Sequence, residues 1–295
     1  MKKRSIVTLV VIFGGLFLAL TIFIAILIQA FSPDGFGAPN DRLGIVEVDG
    51  AIMESKKIVE DLRRFEKDDT IKGVVVRVNS PGGAVGPSQE IYEGVKRLRA
   101  QKPVVISMGT VAASGGYYVA CGTDMIFANP ATITGSIGVI SQFFDVHKVL
   151  DLASIDVNTV KTGPYKDSGS PFREFGVDDE LHMAALIGDI YDQFVEVLAD
   201  CRGMDLEEAK GLADGRVFSG RQAKELNLID EIGTLQDAVD HLKAELNLDE
   251  PPVVYPPKER MGFLSEMLRT SMQTTVSEAR NQTTPRLQYR YVGPQ

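Results

Sequence analysis

The chain of 295 residues has no tryptophan, only two cysteines and three histidines, and a shortage of positive charge: 31 lysines and arginines against 40 aspartates and glutamates, a formal net charge of -9. Each shortage excludes something. Binding to nucleic acid wants a basic stripe that neutralises phosphates, and none is present, so no nucleic-acid partner is expected. Cys121 and Cys201 lie far apart, with no second cysteine or histidine at ligand spacing. Neither a zinc site nor a disulfide framework is indicated; the two read as small buried residues, with a single bridge between them as the alternative. No GxxxxGK[ST] phosphate loop and no GxGxxG turn occurs. Of the histidines, His182 and His241 fall in helical stretches among acidic neighbours, which leaves His147 as the one histidine placed to act as a base, in surroundings without a catalytic pattern.

What is present starts with a long apolar run. Met1-Lys2-Lys3-Arg4 is followed by Ser5 to Ile28, which holds no charged residue, and about 20 apolar residues cross a bilayer. The run is longer than the apolar region of a cleaved signal peptide, about 7 to 15 residues, and Ile28-Gln29-Ala30 is a poor cleavage site. Residues 1–4 therefore read as a cytoplasmic N-terminus, 5–28 as a transmembrane anchor and 29–42, rich in proline and glycine, as a linker. Positive charge before the run, and Asp34 and Asp41 after it, place the body outside the cytoplasm, on a single-pass topology with membrane lipid as a partner.

From 43 to 250 the pattern is strand, glycine turn, helix. Leu43 to Val48, Gly73 to Val78 and Val104 to Ser107 read as buried strands, with helices over Ser55 to Phe65 and about Pro87 to Ala100. Shorter strands are expected at Met125 to Phe127, Ser136 to Ile140 and Asp156 to Lys161, and a helical turn at Val146 to Leu150. Gly163 to Pro171 reads as a long loop. Beyond it the chain turns helical: Asp178, Asp179 and Glu180 suit a helix first turn, and Asp205, Ser219 and Thr234 suit helix caps. Leu228 to Gly233 reads as a short connector. The alternation marks a layered α/β domain. Residues 251–295 read as a proline-rich connector and a polar, flexible C-terminal tail, with a short amphipathic helix over Met261 to Leu268.

The centre of interest is Gly109 to Ala120, where Ser114 sits among Ala112, Ala113, Gly115 and Gly116. Residues so small let a ligand backbone approach, and the glycine after the serine offers an unobstructed amide; close packing alone explains the run equally well. Asn79-Ser80-Pro81-Gly82-Gly83, a second glycine turn after the preceding strand, supplies further amides. A serine nucleophile needs a base. A lysine serves only when neutral, so its ordinary pKa near 10.4 has to fall to about 7, at about 4 kcal/mol, in a dry pocket with a hydroxyl nearby. Lys161 and Lys166, beside the irregular loop, are better placed than helical lysines such as Lys96, Lys210 or Lys243.

Asn79-Ser80-Pro81-Gly82-Gly83, Ala113-Ser114-Gly115-Gly116-Tyr117-Tyr118, Thr134-Gly135-Ser136-Ile137-Gly138-Val139 and Gly163-Pro164-Tyr165-Lys166 occur in the order found in the signal peptide peptidase A family, which the chain resembles over about Leu43 to Leu246. Gly215-Arg216-Val217-Phe218-Ser219-Gly220 and Asp230-Glu231-Ile232-Gly233 resemble that family's C-terminal signature. The resemblance implies a ClpP/crotonase-like spiral of β-β-α units followed by a helical region. It further implies a serine endopeptidase with Ser114 as nucleophile, Lys166 as general base and Ser136 orienting the lysine. Gly82 and Gly115 would be the oxyanion donors, with Gly83 a substitute for Gly82. It calls for no metal or cofactor, and implies a homo-oligomeric ring in the inner membrane whose substrates are apolar peptides such as remnant signal peptides, with serine and lysine from one protomer or two. The competing readings are a catalytically idle membrane scaffold and a crotonase-like acyl-CoA enzyme.

Overall fold

Two valine-rich runs build the middle of the molecule. Strands β1 (Arg42–Asp49) and β2 (Ile71–Ser80) pair in parallel, with Ile45 opposite Val75 and Val46 opposite Val76. Successive side chains on a strand point to opposite faces. Here both faces are covered: Val46, Val48, Val74, Val76 and Val78 join one core cluster, whereas Leu43, Ile45 and Val75 join another. Burial on both sides is why these strands carry unbroken apolar runs.

The computed structural model describes residues 13–24, 26, 41–257 and 288–290. The chain separates into two compact units, Met1–Asn40 and Asp41–Gln295. In the second, helix α1 (Lys56–Lys67) buries Leu62 and Phe65. A short strand β3 (Gly82–Ala84) leads into α2 (Val85–Arg99), which buries Ile91, Tyr92, Val95 and Leu98 in the same cluster. Strand β4 (Val104–Ala113) lies parallel to β2 and passes into α3 (Gly115–Ala120). The sheet divides along β4. Its first half pairs with β5 (Ile126–Ala128) and its second half with β6 (Ile133–Gly135), both in parallel.

After α4 (His147–Leu152) and a 3-10 turn at Pro164–Asp167 comes the long helix α5 (Val177–Arg202). Then follow α6 (Leu206–Leu212), β7 (Val217–Ser219) antiparallel to β6, α7 (Gly220–Glu225), and β8 (Glu231–Ile232) beside β5. Helix α8 (Leu235–Glu245) covers the second face with Ala238, Val239 and Leu242, and β9 (Val253–Val254) extends the sheet beyond β1. The order is β7-β6-β4-β2-β1-β9, with β5 and β8 branching from β4. Away from it, β10 (Gln288–Arg290) runs antiparallel to β3.

This is the expected α/β class, and the caps fall where their chemistry puts them: Asp205, Ser219 and Thr234 accept from the amides of Glu208, Gln222 and Asp237. Several details depart from the sequence reading. The strand expected over Ser136 to Ile140 lies earlier, at Ile133–Gly135, because positive φ at Gly135 (80°) and Ser136 (51°) turns the chain away. Residues 156–161 form no strand; they are exposed, and no neighbouring strand pairs with them. Strand β4 runs on to Ala113 instead of ending at Ser107, and β8 and β9 occupy stretches read as connectors. Of the anchor segment 5–28, residues 13–24 and 26 are described and are helical and exposed; the rest lies outside the described residues. Among the described residues no helix is long and apolar enough to cross a membrane. The helix expected over Met261 to Leu268 also falls outside them.

Cys121, at the end of α3, and Cys201, in α5, form a disulfide with Cα atoms 5.3 Å apart, so they are not two unpaired buried thiols. Cross-linking residues so far apart in sequence restricts the unfolded chain and stabilises by about 2–4 kcal/mol. Changing both cysteines to serine is expected to lower unfolding stability by that amount in a urea titration. An unchanged midpoint would show that the bridge carries no load.

Candidate active site

Ser114 occupies the junction of β4 and α3, with φ 54° and ψ -119°. A residue with a side chain held in such a conformation costs about 1–3 kcal/mol and persists only when its surroundings over-determine it. They do so here. Its amide donates to the Gly135 carbonyl at 2.7 Å, and its own carbonyl accepts from the Tyr118 amide at 2.9 Å. The small neighbours are required by packing as well: a Cβ on Gly116 would stand 2.7 Å from the Ser80 carbonyl oxygen. Close packing and the placement of the serine, which is itself buried, are therefore one arrangement. The Ser114 hydroxyl makes no hydrogen bond to a described residue. Gly115, the first residue of α3, has an amide with no acceptor inside its own helix.

The glycine edge faces this turn. On β3, the Ile52 amide donates to the Gly82 carbonyl (2.9 Å) and the Ala84 amide donates to the Ile52 carbonyl (2.7 Å). Because a strand's peptide groups alternate in direction, the amide and carbonyl of Gly83 point to the other side. There β10 pairs antiparallel, with Tyr289 opposite Gly83, and also packs against α3. The Gly82 amide is engaged by Ser80 Oγ at 3.1 Å. Of the two glycines, Gly83 is thus the one that turns its amide away from Ile52, to the side where β10 runs. A Cβ there would lie 2.1 Å from the Ile52 carbonyl oxygen, so only glycine fits.

Two residues in this region, Asn79 and Ser80, stand in the sequence only as part of the glycine turn, with no role of their own. Asn79 Oδ1 accepts from the amides of Thr110 (3.1 Å) and Val111 (3.4 Å), while its Nδ2 donates to Asp49 (2.9 Å). It pins the end of β4 just before the serine. Their only signal was position, in the dipeptide ahead of Pro-Gly-Gly. Ser136 follows Gly135, the backbone partner of Ser114, and its amide donates to the Arg216 carbonyl at 2.8 Å.

Ser114, Gly115, Ser136 and the glycine edge are brought together. Lys166 is not joined to them. It is exposed on the 3-10 turn, and no hydrogen bond or ion pair links it to Ser114 or Ser136. The other loop lysine, Lys161, donates to Asp167 Oδ1 (2.6 Å). Hydrogen bonds from Arg173 and then Lys161 hold the Asp167 carboxyl down at about 2. The histidines are engaged elsewhere: His147 with Asp145, His182 stacked on Tyr165, and His241 edge-on to Phe127.

A serine in a strained strand-to-helix turn at the end of parallel strands, with glycine amides nearby, has the backbone geometry of a serine hydrolase site on an α/β scaffold. The sequence profile described as peptidase family S49 matches residues 96–249, more than half of the chain. The Clp protease profile matches residues 44–134. A protein of Synechocystis sp. provisionally named a protease is 40% identical over 222 residues, which cover 72% of this chain and 80% of that one. A protein of Enterococcus faecium provisionally named signal peptide peptidase SppA is 34% identical over 246 residues, 79% of this chain and 72% of that one. Among solved structures, a ClpP1 variant from Listeria monocytogenes is similar with a TM-score of 0.46 and 18% identity, covering 66% of this chain and 94% of that one. The chain belongs to peptidase family S49, a family of serine peptidases that includes proteins named SppA.

The glycine edge can be tested apart from the serine. Gly83→Ala is expected to reduce peptide cleavage at least about tenfold, since the added methyl must displace the Ile52 backbone. Gly86→Ala, where a Cβ meets nothing within 4 Å, is expected to leave cleavage unchanged. Equal effects of the two substitutions in a peptide-cleavage assay would contradict the assignment.

Proposed function

We propose that the chain is a membrane-anchored serine endopeptidase that cleaves extended apolar peptides, remnant signal peptides among them, with a Ser114–Lys166 dyad. The observation that carries the reading is the conformation of Ser114, held by hydrogen bonds at both its amide and its carbonyl. A peptide adds antiparallel to the β3 edge by displacing β10, whose place and direction it takes. Ser114 Oγ attacks the scissile carbonyl as the neutral Lys166 amine accepts its proton. The oxyanion is held by the Gly115 amide together with that of Gly82 or Gly83. The amine product leaves with a proton from Lys166, and water, deprotonated by the same amine, hydrolyses the ester and frees Ser114. Ser136 orients the lysine.

The dyad is completed between copies of the chain in a ring. Lys166 is exposed on its own protomer, and the segment that carries it is rich in uncovered apolar side chains: Phe144, Leu152, Val160 and Val177 are each at least 71% exposed. Soluble chains rarely leave such groups clustered in water unless a partner covers them. The body lies on the extracytoplasmic side of the inner membrane, a placement supported by the charges flanking Ser5 to Ile28 and by the Cys121–Cys201 bridge, a bond that persists in oxidising compartments.

Ser114→Ala and Lys166→Ala are each expected to lower cleavage of an apolar peptide by the detergent-solubilised protein at least about 1,000-fold, to a small residual rate. Mixing the two inactive proteins under conditions of subunit exchange should restore activity, since some interfaces then combine an intact serine with an intact lysine. Full activity of Lys166→Ala would overturn the dyad. An inactive mixture with proven subunit exchange would overturn its completion between copies.

A further inference from the structure

The turn that carries Lys166 is tied down on both sides, while the Lys166 amine makes no hydrogen bond or ion pair among the described residues. Before it, the Pro164 carbonyl accepts from Lys161 Nζ at 3.1 Å, and the Tyr165 ring stacks on His182 of α5 with centroids 4.9 Å apart. After it, Asp167 accepts from Lys161 and from Arg173, and Ser168 Oγ donates to Asp179 Oδ1 at 2.7 Å. One side chain joins the two halves of this arrangement. Arg173 Nη2 donates to the Asp167 carbonyl (3.2 Å), to Asp167 Oδ1 (3.0 Å) and to Asp179 Oδ1 (2.9 Å), and Nη1 donates to Asp179 Oδ2 (2.5 Å). Asp179 belongs to the first turn of α5, is nearly buried, and also accepts from the Gly176 amide at 3.1 Å. The fork is committed to this task at a cost: Arg173 Nε is buried without a hydrogen-bond partner among the described residues, which an arginine free to turn into water would avoid.

We propose that Arg173 is a positioning residue for peptide cleavage, acting by joining the Lys166 turn to the first turn of α5 so that the amine is presented at a fixed place. The proposal rests on the reading of Lys166 as general base. Arginine suits the role because its planar fork spans two carboxylates, which the single ammonium of lysine cannot do. Displacing a reacting group by about 1 Å costs on the order of 100-fold in rate while leaving substrate contacts intact. Among the described residues Arg173 makes no hydrogen bond to the serine or to the glycine edge.

The test uses the full-length protein in detergent with an apolar peptide substrate, and measures kcat and KM for Arg173→Gln, Arg173→Lys and Asp167→Asn, with Arg173→Gln also made in the Lys166→Ala background. Arg173→Gln is expected to lower kcat by about 10- to 100-fold with KM within about threefold, and Arg173→Lys to recover little of the loss. Asp167→Asn, which leaves the Arg173–Asp179 pair in place, should reproduce the fall in kcat with assembly unchanged, and it decides the matter if Arg173→Gln does not assemble. In the Lys166→Ala background the residual rate should fall no further, because a residue acting only through the lysine has nothing left to position. Wild-type kcat in folded Arg173→Gln, a loss confined to KM, or an additional loss in the Lys166→Ala background would overturn the proposal. Full activity of Lys166→Ala alone would instead overturn the base assignment, so the two failures are distinct.

Discussion

The backbone of Ser114 is the constraint on which the rest depends. A serine at φ 54° turns the chain from strand to helix within one residue, and that turn lasts only while β6 supplies the Gly135 carbonyl and α3 supplies the Tyr118 amide. β6 in turn needs Gly135 at positive φ and antiparallel support from β7, where Gly135 lies opposite Val217. On the other flank, Asn79 holds the end of β4 and Gly116 lets α3 sit against Ser80. Strain at the serine is thus offset by hydrogen bonds from three separate segments, none able to move without releasing it.

Those segments are positioned by a sheet buried on both faces. Valines and isoleucines of β1, β2 and β4 alternate between a cluster beneath α1, α2 and α3 and a second one beneath α8. The Cys121–Cys201 bridge joins the end of α3 to α5, and the paired Arg202 and Asp230 (2.8 Å) tie the end of α5 to the connector that feeds β8. Asp230 also accepts from the Ile126 amide at the start of β5. The helical C-terminal half is therefore bound to the strands that end at the serine, and α5 is at once the bridge partner of α3 and the anchor of the Lys166 turn.

Much of this was legible in the residues because it rests on local signals. Apolar runs mark two-sided burial, Asp205, Ser219 and Thr234 mark helix starts, and glycine pairs after strands mark close approach. What could not be read depends on partners distant in sequence. The strand at Ile133–Gly135 is defined by pairing with β4 and β7, whereas Ser136 to Ile140 forms no ladder: the Ser136 amide donates to the Arg216 carbonyl, the Ile137 carbonyl accepts from the Gly215 amide, and Ile140 makes an isolated bridge. β10 lies in a stretch of polar residues with no strand pattern and is recognised only by its pairing with β3. Arg173 looks like any loop arginine until Asp167 and Asp179 are seen on either side of it. The two glycines were similar: composition could not show that the Gly82 amide meets the Ser80 hydroxyl while the Gly82 carbonyl meets the Ile52 amide.

The central claim is that Ser114 is chemically singular among the serines of this chain. Its most direct test is exposure of the assembled protein to a serine-reactive fluorophosphonate, followed by digestion and tandem mass spectrometry of every serine-containing peptide. One adduct, on Ser114, is the predicted result. No adduct, or an adduct on Ser136 or another serine in its place, would contradict the account.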